Sequence, residues 1–215
     1  MSAPYPPGGG APAGALTRST VDVSGLPTVT FGPRSMLWWG TLGFMAIEGT
    51  TLFIGLACYF YLWRNEATWP PAHTPRPGLV WPTITLAVML VSLAPAALAD
   101  RAARRLDLPA LRRWFVVLTA FAIGFLFLRW QDILALNCRW DTNAYGSVAW
   151  LVTGLHASLL YLNAFETAFI AVLLFSARFE TKHFSDASES CFYWYFLVGV
   201  WVPLYATVYL TPYVT

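Results

Sequence analysis

Glu48 is the residue of this chain whose chemistry most needs an explanation, because it interrupts the otherwise uncharged apolar run of residues 36–63. About 20 apolar residues cross a bilayer, so this run is long enough to span one. An acidic side chain at the bilayer centre costs about 2.5–3.5 kcal/mol on insertion scales, and such groups usually face protein or water. The sequence therefore predicts either a neutral acid that donates one interhelical hydrogen bond or a functional intramembrane carboxyl group.

A second set of polar side chains, His156, Asn163 and Glu166, lies within the apolar run of residues 144–177. Asn163 follows His156 by nearly two helical turns, so the two side chains share a face of the helix. Glu166 lies close to this face. A polar stripe on an apolar helix is expected to turn toward neighbouring helices. Two interpretations remain open at this stage: neutral packing groups that hydrogen-bond between helices, or part of a proton relay.

Redox metals are tested by counting their usual ligands. The chain has three histidines, and only His156 lies inside an apolar run. A haem held by two histidines needs a pair at similar depth, and a thiolate copper site needs neighbouring Cys and His. Cys58, Cys138 and Cys191 are far apart and form no C-x-x-C motif. We predict that the chain holds no redox metal, zinc site or disulfide framework of its own.

The composition predicts an all-α integral membrane bundle. The chain is 57% hydrophobic and 11% charged, whereas soluble domains are about 25% charged. The net charge of +2 gives no reason to expect nucleic-acid binding. The third run reaches residue 136 only if Arg129 extends outward to the headgroups. Five transmembrane helices are predicted, at about 36–63, 79–99, 111–136, 144–177 and 192–210.

The Lys and Arg residues predict the orientation of the bundle. They are concentrated before the first run, between the second and third, and between the fourth and fifth. The positive-inside rule then places the N-terminus in the cytoplasm and the C-terminus outside. Residues 1–33 are rich in Pro and Gly and are predicted to be a disordered cytoplasmic tail, which leaves residues 34–215 as the transmembrane domain.

Motifs along the five runs resemble cytochrome c oxidase subunit III in its short five-helix bacterial form, with some divergence. The first run matches the helix of that family that carries a glutamate, with Glu48 at the glutamate position. No single motif is specific, but their order and spacing are. The other matches are Trp69-Pro70-Pro71, Pro82, Ser92, Gly124, Gln131, Tyr145-Gly146-Ser147, Thr153-Gly154-Leu155-His156, Tyr193-Trp194-Tyr195-Phe196, Trp201, Tyr205 and Tyr209.

The resemblance implies an accessory, redox-inert subunit of a respiratory terminal oxidase, with no catalytic, cofactor or metal site of its own. Its partners would be subunit I and subunit II of a haem–copper oxidase, which hold the haem and copper, in the bacterial cytoplasmic membrane. It would stabilise the catalytic subunit, support proton uptake and bind phospholipids in a cleft. The candidate intramembrane polar or lipid-cleft residues are Glu48, His156, Asn163, Glu166 and Trp194.

Some family positions carry less polar residues here. Leu159 and Tyr195 occupy positions of family histidines, and Val198 that of an aspartate. Two alternatives therefore stay open: a subunit III-like protein of a nitric oxide reductase, or a small proton-conducting transporter with Glu48, His156 and Glu166 as a relay. The chain shows no internal repeat of the kind common in transporters.

Overall fold

The computed structural model describes residues 29–214, so the predicted tail falls mainly outside the described residues. Within that range the regular elements are helices, and five of them are long and apolar enough to cross a membrane, as predicted. The side of the membrane on which each terminus lies stays a prediction. The helices are α1 Met36–Asn65, α2 Val80–Arg104, α3 Leu108–Leu134, α4 Ala144–Phe175 and α5 His183–Tyr205, which continues through a π-helical turn, Ala206–Leu210, into the short α6, Thr211–Val214.

α5 is the central helix of the bundle and α1 is the peripheral one. In the most apolar stretch of each span, 56% of α5 is buried but only 22% of α1. α5 packs against α1, α2 and α4, while α3 lies between α2 and α4. The side chains that contribute most to the core are therefore those of α5 and those of the neighbouring helices that face α5.

α5 begins at His183, well before the apolar run that starts near residue 192. Its first turns are rich in serine and carry Asp186 and Glu189. The hydropathy of these turns is therefore too low to indicate a membrane helix. The side chains of Ser185, Ser188 and Glu189 are nevertheless buried, because this segment packs inside the bundle. Ser188 donates a hydrogen bond to Asp100 of α2, and Ser185 donates one to the Thr30 carbonyl oxygen over 2.9 Å.

Small residues allow α2 to approach its neighbours closely. Ala96, Ala99 and Ala103 are completely buried on one side of this helix. In a bilayer, where lipid tails are as apolar as leucine, close van der Waals packing over small residues is a main source of helix association. The same side of α2 carries Ser92 and Thr85, whose hydroxyl groups are also fully buried.

One end of the bundle is basic. Contacts between Thr30 and Ser185, and between the Arg104 guanidinium and the Phe31 ring at 5.6 Å, bring together the start of α1, the end of α2 and the start of α5. Arg112 of α3 similarly contacts the end of α4. We call this the basic end; its residues include Arg34, Arg101, Arg104, Arg105, Arg112, Arg113, Arg178 and Lys182.

The opposite end is closed by a capped helix start. Asn143 is the N-cap of α4, and its Oδ1 accepts a hydrogen bond from the Gly146 backbone N–H over 2.8 Å. Such caps satisfy one of the backbone donors that a helix start leaves without partners. The Arg139 carbonyl group lies so close to the Gly146 Cα that a Cβ atom added there would collide with it.

We expect Gly146→Ala to lower stability by about 1–3 kcal/mol, because the added methyl group forces the Arg139 loop away from the start of α4. Gly154→Ala is the matched control on the same helix, since no heavy atom lies within 4 Å of its added Cβ. That variant should be neutral or slightly stabilising, because alanine favours a helix over glycine. Thermal unfolding of the purified chains in detergent measures both; equal midpoints would contradict the steric argument.

Candidate functional site

Glu48 links α1 to α5 inside the membrane-spanning region. Its side chain is buried, and its Oε2 accepts a hydrogen bond from the Tyr193 hydroxyl group over 2.6 Å. The two residues are 145 positions apart in the sequence, so the contact is purely tertiary. The phenol is the donor in this bond, which leaves the carboxylate as the acceptor at the contact between the two helices.

Two cavities adjoin this hydrogen bond. The first, of about 170 Å³, lies between α1 and α4, and Glu48 lines it together with mainly apolar side chains. The second, of about 220 Å³, lies between α1, α4 and α5, and Tyr193 lines it. We call the two cavities and the bond between them the Glu48 groove. Its walls are Ile47, Thr51, Leu52, Leu155 and Leu159 in the first cavity, and Gly40, Thr41, Phe44, Glu166, Glu189 and Tyr193 in the second.

Two further carboxyl groups line the second cavity. Glu166 is exposed on α4 and so faces the groove rather than the interior of the bundle. Glu189 of α5 is only 4% exposed, and neither of its carboxyl oxygens has a hydrogen-bond partner among residues 29–214. A buried polar group without a partner is costly, which makes Glu189 the carboxyl group of this cavity that most needs a donor. Glu189 escaped the sequence analysis, although it precedes Tyr193 by one helical turn and therefore shares its face.

His156 belongs to a different polar cluster. Its ring is fully buried, with Nδ1 3.0 Å from Nη2 of Arg129 and Nε2 3.0 Å from the Leu197 carbonyl oxygen. A guanidinium group has donors only, so Nδ1 accepts and Nε2–H donates to the carbonyl oxygen. This is the geometry of a neutral histidine that packs α4 against α3 and α5, one of the two roles that the sequence left open.

Arg129 does not extend to the headgroups, so that expectation was wrong. Its side chain is completely buried, with Nη1 3.2 Å from Oδ2 of Asp132 on the same helix. Its guanidinium lies 3.7 Å from the centre of the Trp201 ring, which adds a cation–π contact. The spacing of Arg129 and Asp132, three residues apart, places them on one face, and this was the signal in the sequence.

Neighbouring helices add two hydrogen bonds to Asp132. Thr85 of α2 donates to its Oδ1 over 2.9 Å, and the Tyr209 hydroxyl group donates to its backbone carbonyl oxygen over 2.9 Å. We call Arg129, Asp132 and His156 with these partners the Arg129 network. Among residues 29–214, no hydrogen bond joins this network to Glu48. Glu48, His156 and Glu166 are thus divided between two sites.

The two remaining candidates lie in the core. Trp194 is 2% exposed, and its Nε1–H donates to the Ser92 hydroxyl group over 2.9 Å between α5 and α2. Asn163 is also 2% exposed, and in the described part of the chain its Oδ1 has no hydrogen-bond partner. Neither residue lines the Glu48 groove. Trp194 therefore serves interhelical packing at this position.

Metal-ligating side chains are dispersed. In the part of the chain that the structure describes, no three His, Cys, Asp or Glu residues are placed to hold one metal ion. Outside the spans, burial raises the pKa of the Cys138 thiol to about 11. The thiol is therefore protonated at neutral pH, and the thiolate that binds metals is scarce.

No family profile matches the chain. Individual proteins that are similar to it share one name, cytochrome c oxidase subunit 3. The cytochrome c oxidase subunit 3 of Synechocystis sp. is 28% identical over 186 residues, covering 83% of this chain and 77% of the relative. The probable cytochrome c oxidase subunit 3 of Mycobacterium tuberculosis is 28% identical, covering 81% and 88%. The subunit 3 of Thermostichus vulcanus is 25% identical, covering 80% and 85%. These relatives confirm the resemblance predicted from the motifs.

We expect Arg129→Met to destabilise the chain by about 3–5 kcal/mol, because it leaves the Asp132 carboxylate buried without its counter-charge. The double variant Arg129→Met/Asp132→Leu should lose much less than the sum of the two single variants. Unfolding of the four chains in detergent completes the double-mutant cycle. Additive losses would show that the pair is not coupled.

A matched control is the exposed pair of Arg139 and Asp141, joined over 2.8 Å outside the spans. Water screens such a pair, so Arg139→Met should leave the unfolding midpoint almost unchanged.

Proposed function

We propose that this chain, a relative of cytochrome c oxidase subunit 3, is the accessory, redox-inert subunit of a haem–copper terminal oxidase. The similarity to subunit 3 proteins over more than 80% of the chain is the observation that carries the proposal. Subunit I and subunit II would be its partners and would hold the haem and copper. The complex would lie in a bacterial cytoplasmic membrane, with the basic end of this chain in the cytoplasm.

The Glu48 groove would act as a phospholipid cleft. It lies beside α1, the least buried helix, so lipid can reach it from the side. Its first cavity has mainly apolar walls that suit acyl chains, and the Glu48 carboxyl group offers one polar contact within it. The hydrogen bond from Tyr193 fixes this carboxyl group between α1 and α5.

The same groove would support proton uptake. Tyr193 contacts Glu48 and also lines the cavity that holds Glu166 and Glu189. Ionisable residues in spans that face a cavity are typical of proton pathways, because each can gain or lose a proton away from lipid. Three carboxyl groups around one phenol would hold protons between the basic end and the middle of α1.

The relay alternative has less support. It needs Glu48, His156 and Glu166 in one connected path. Both ring nitrogens of His156 are instead hydrogen-bonded to Arg129 and to the Leu197 carbonyl oxygen.

Affinity purification in mild detergent tests the proposal. A tagged chain should retain haem-containing partners, seen as a reduced-minus-oxidised absorption spectrum, and the complex should consume oxygen. Reduction of nitric oxide without oxygen consumption would favour the nitric oxide reductase alternative. A haem-free chain that is stable alone and moves protons in liposomes would instead favour a transporter and contradict the proposal.

We expect Glu48→Gln to leave assembly largely intact, because the amide oxygen still accepts the hydrogen bond from Tyr193. Glu48→Ala should lower the yield of complex, since the phenol then loses its acceptor inside the bundle. Tyr193→Phe is the matched variant of Glu48→Ala, because it breaks the same hydrogen bond from the donor side while keeping the ring. The ratio of haem to this subunit after purification measures assembly. A complex that dissociates with Gln but tolerates Ala would contradict this role for Glu48.

A further inference from the structure

A groove of about 690 Å³ lies between α3 and α4, separate from the Glu48 groove. Its floor contains the buried Ala171 and the small Ala120, and its walls are large exposed apolar side chains. On α3 it extends from residue 116 to residue 123, about 10 Å at 1.5 Å per residue. We call it the α3–α4 groove; its main apolar residues are Val116, Ala120, Ile123, Ala171, Val172 and Phe175.

Arg112 lies at the basic end of the groove, against Phe175, which lines it. Its Nε–H donates to the Leu174 carbonyl oxygen over 2.7 Å, a carbonyl group in the last turn of α4 that the helix itself leaves without a partner. Its guanidinium lies 5.3 Å from the centre of the Phe175 ring. These two contacts fix the guanidinium between the ends of the two helices, while its terminal nitrogens remain available.

The charge at this end of the groove is not compensated. Arg113 follows Arg112 on α3, Arg178 lies just beyond α4, and both are exposed. Within residues 29–214, no carboxylate forms an ion pair with any of these three arginines. Uncompensated cations therefore lie beside an apolar groove that opens to the hydrocarbon region.

We propose that the α3–α4 groove binds an anionic phospholipid, with its phosphate group at Arg112 and Arg113 and an acyl chain between Ala120 and Val172. Guanidinium groups bind phosphate through paired hydrogen bonds, and basic residues at the membrane surface attract anionic lipids. The apolar part selects a lipid over a soluble anion. The cationic part selects an anionic headgroup over a zwitterionic one.

This site does not depend on the oxidase assignment. It uses α3 and the outer side of α4, whereas the Glu48 groove uses α1, α5 and the other side of α4. Its chemistry is also opposite, because the Glu48 groove is lined by carboxyl groups and this groove ends in arginines. The two grooves would therefore hold lipids with different headgroups on the same subunit.

Native mass spectrometry of the full chain tests the headgroup. The probes are dioleoyl phosphatidylglycerol and dioleoyl phosphatidylcholine, which differ in headgroup charge and share the same acyl chains. Phosphatidylglycerol should be retained preferentially by the wild type and lost several-fold more readily by Arg112→Gln/Arg113→Gln. The control, Arg101→Gln/Arg105→Gln, removes the same charge from the same end, away from the groove, and should keep the preference.

A second arm tests the acyl chain without changing any charge. Ala120→Trp fills the groove, whereas Val91→Trp places the same bulk on an exposed part of α2 outside it. Phosphatidylglycerol should raise the thermal unfolding midpoint of the wild type and of Val91→Trp, but not that of Ala120→Trp. Inorganic phosphate should not reproduce the stabilisation. Unfolding in phosphatidylcholine alone verifies that each variant is folded.

Several results would overturn the proposal. Equal loss of phosphatidylglycerol in both arginine variants would mean that diffuse charge attracts the lipid. Stabilisation by inorganic phosphate that survives Ala120→Trp would indicate a site for soluble anions. Retention by the isolated chain together with absence from the purified complex would identify the groove as a contact with a partner subunit.

Discussion

The ion pair between Arg129 and Asp132 is the interaction on which most of the bundle depends. Both side chains are completely buried, so water does not solvate either charge and the surrounding helices supply their partners. α4 supplies His156, α5 supplies the Trp201 ring, and α2 supplies Thr85. A change in the position of any one helix would leave a charged or polar group without a partner, so this one pair fixes the relative positions of four helices.

The Glu48 groove is organised differently. Its carboxyl groups lie toward the periphery, beside the helix that buries least of its surface, and Glu189 has no hydrogen-bond partner within the described residues. The central cluster connects four helices through its ion pair and hydrogen bonds, which gives rigidity, whereas the carboxyl groups beside the two cavities leave room for lipid, water or protons. This division suits a subunit that supports the chemistry of its partners without performing any.

Hydropathy was sufficient to predict five membrane helices, and the isolation of Glu48 was sufficient to predict a partner for it. The Arg129 network was missed because an arginine near the end of an apolar run usually extends to the headgroups, and this expectation outweighed the three-residue spacing between Arg129 and Asp132. The start of α5 was missed for a related reason. Its serines are polar in sequence, but in the fold they are buried and hydrogen-bond to other segments, as Ser188 does with Asp100.

Because of the π-helical turn at Ala206–Leu210, the contacts of the last helix depend on its number of residues as much as on their types. Such a turn holds an extra residue, which rotates everything after it relative to a regular helix. Before the turn, the Tyr205 hydroxyl group contacts Thr83; within it, Tyr209 contacts Asp132, and after it, Thr211 contacts Tyr59. One inserted or deleted residue between positions 205 and 211 would move the later contacts out of phase together. The contacts of this segment therefore constrain its number of residues as well as their types.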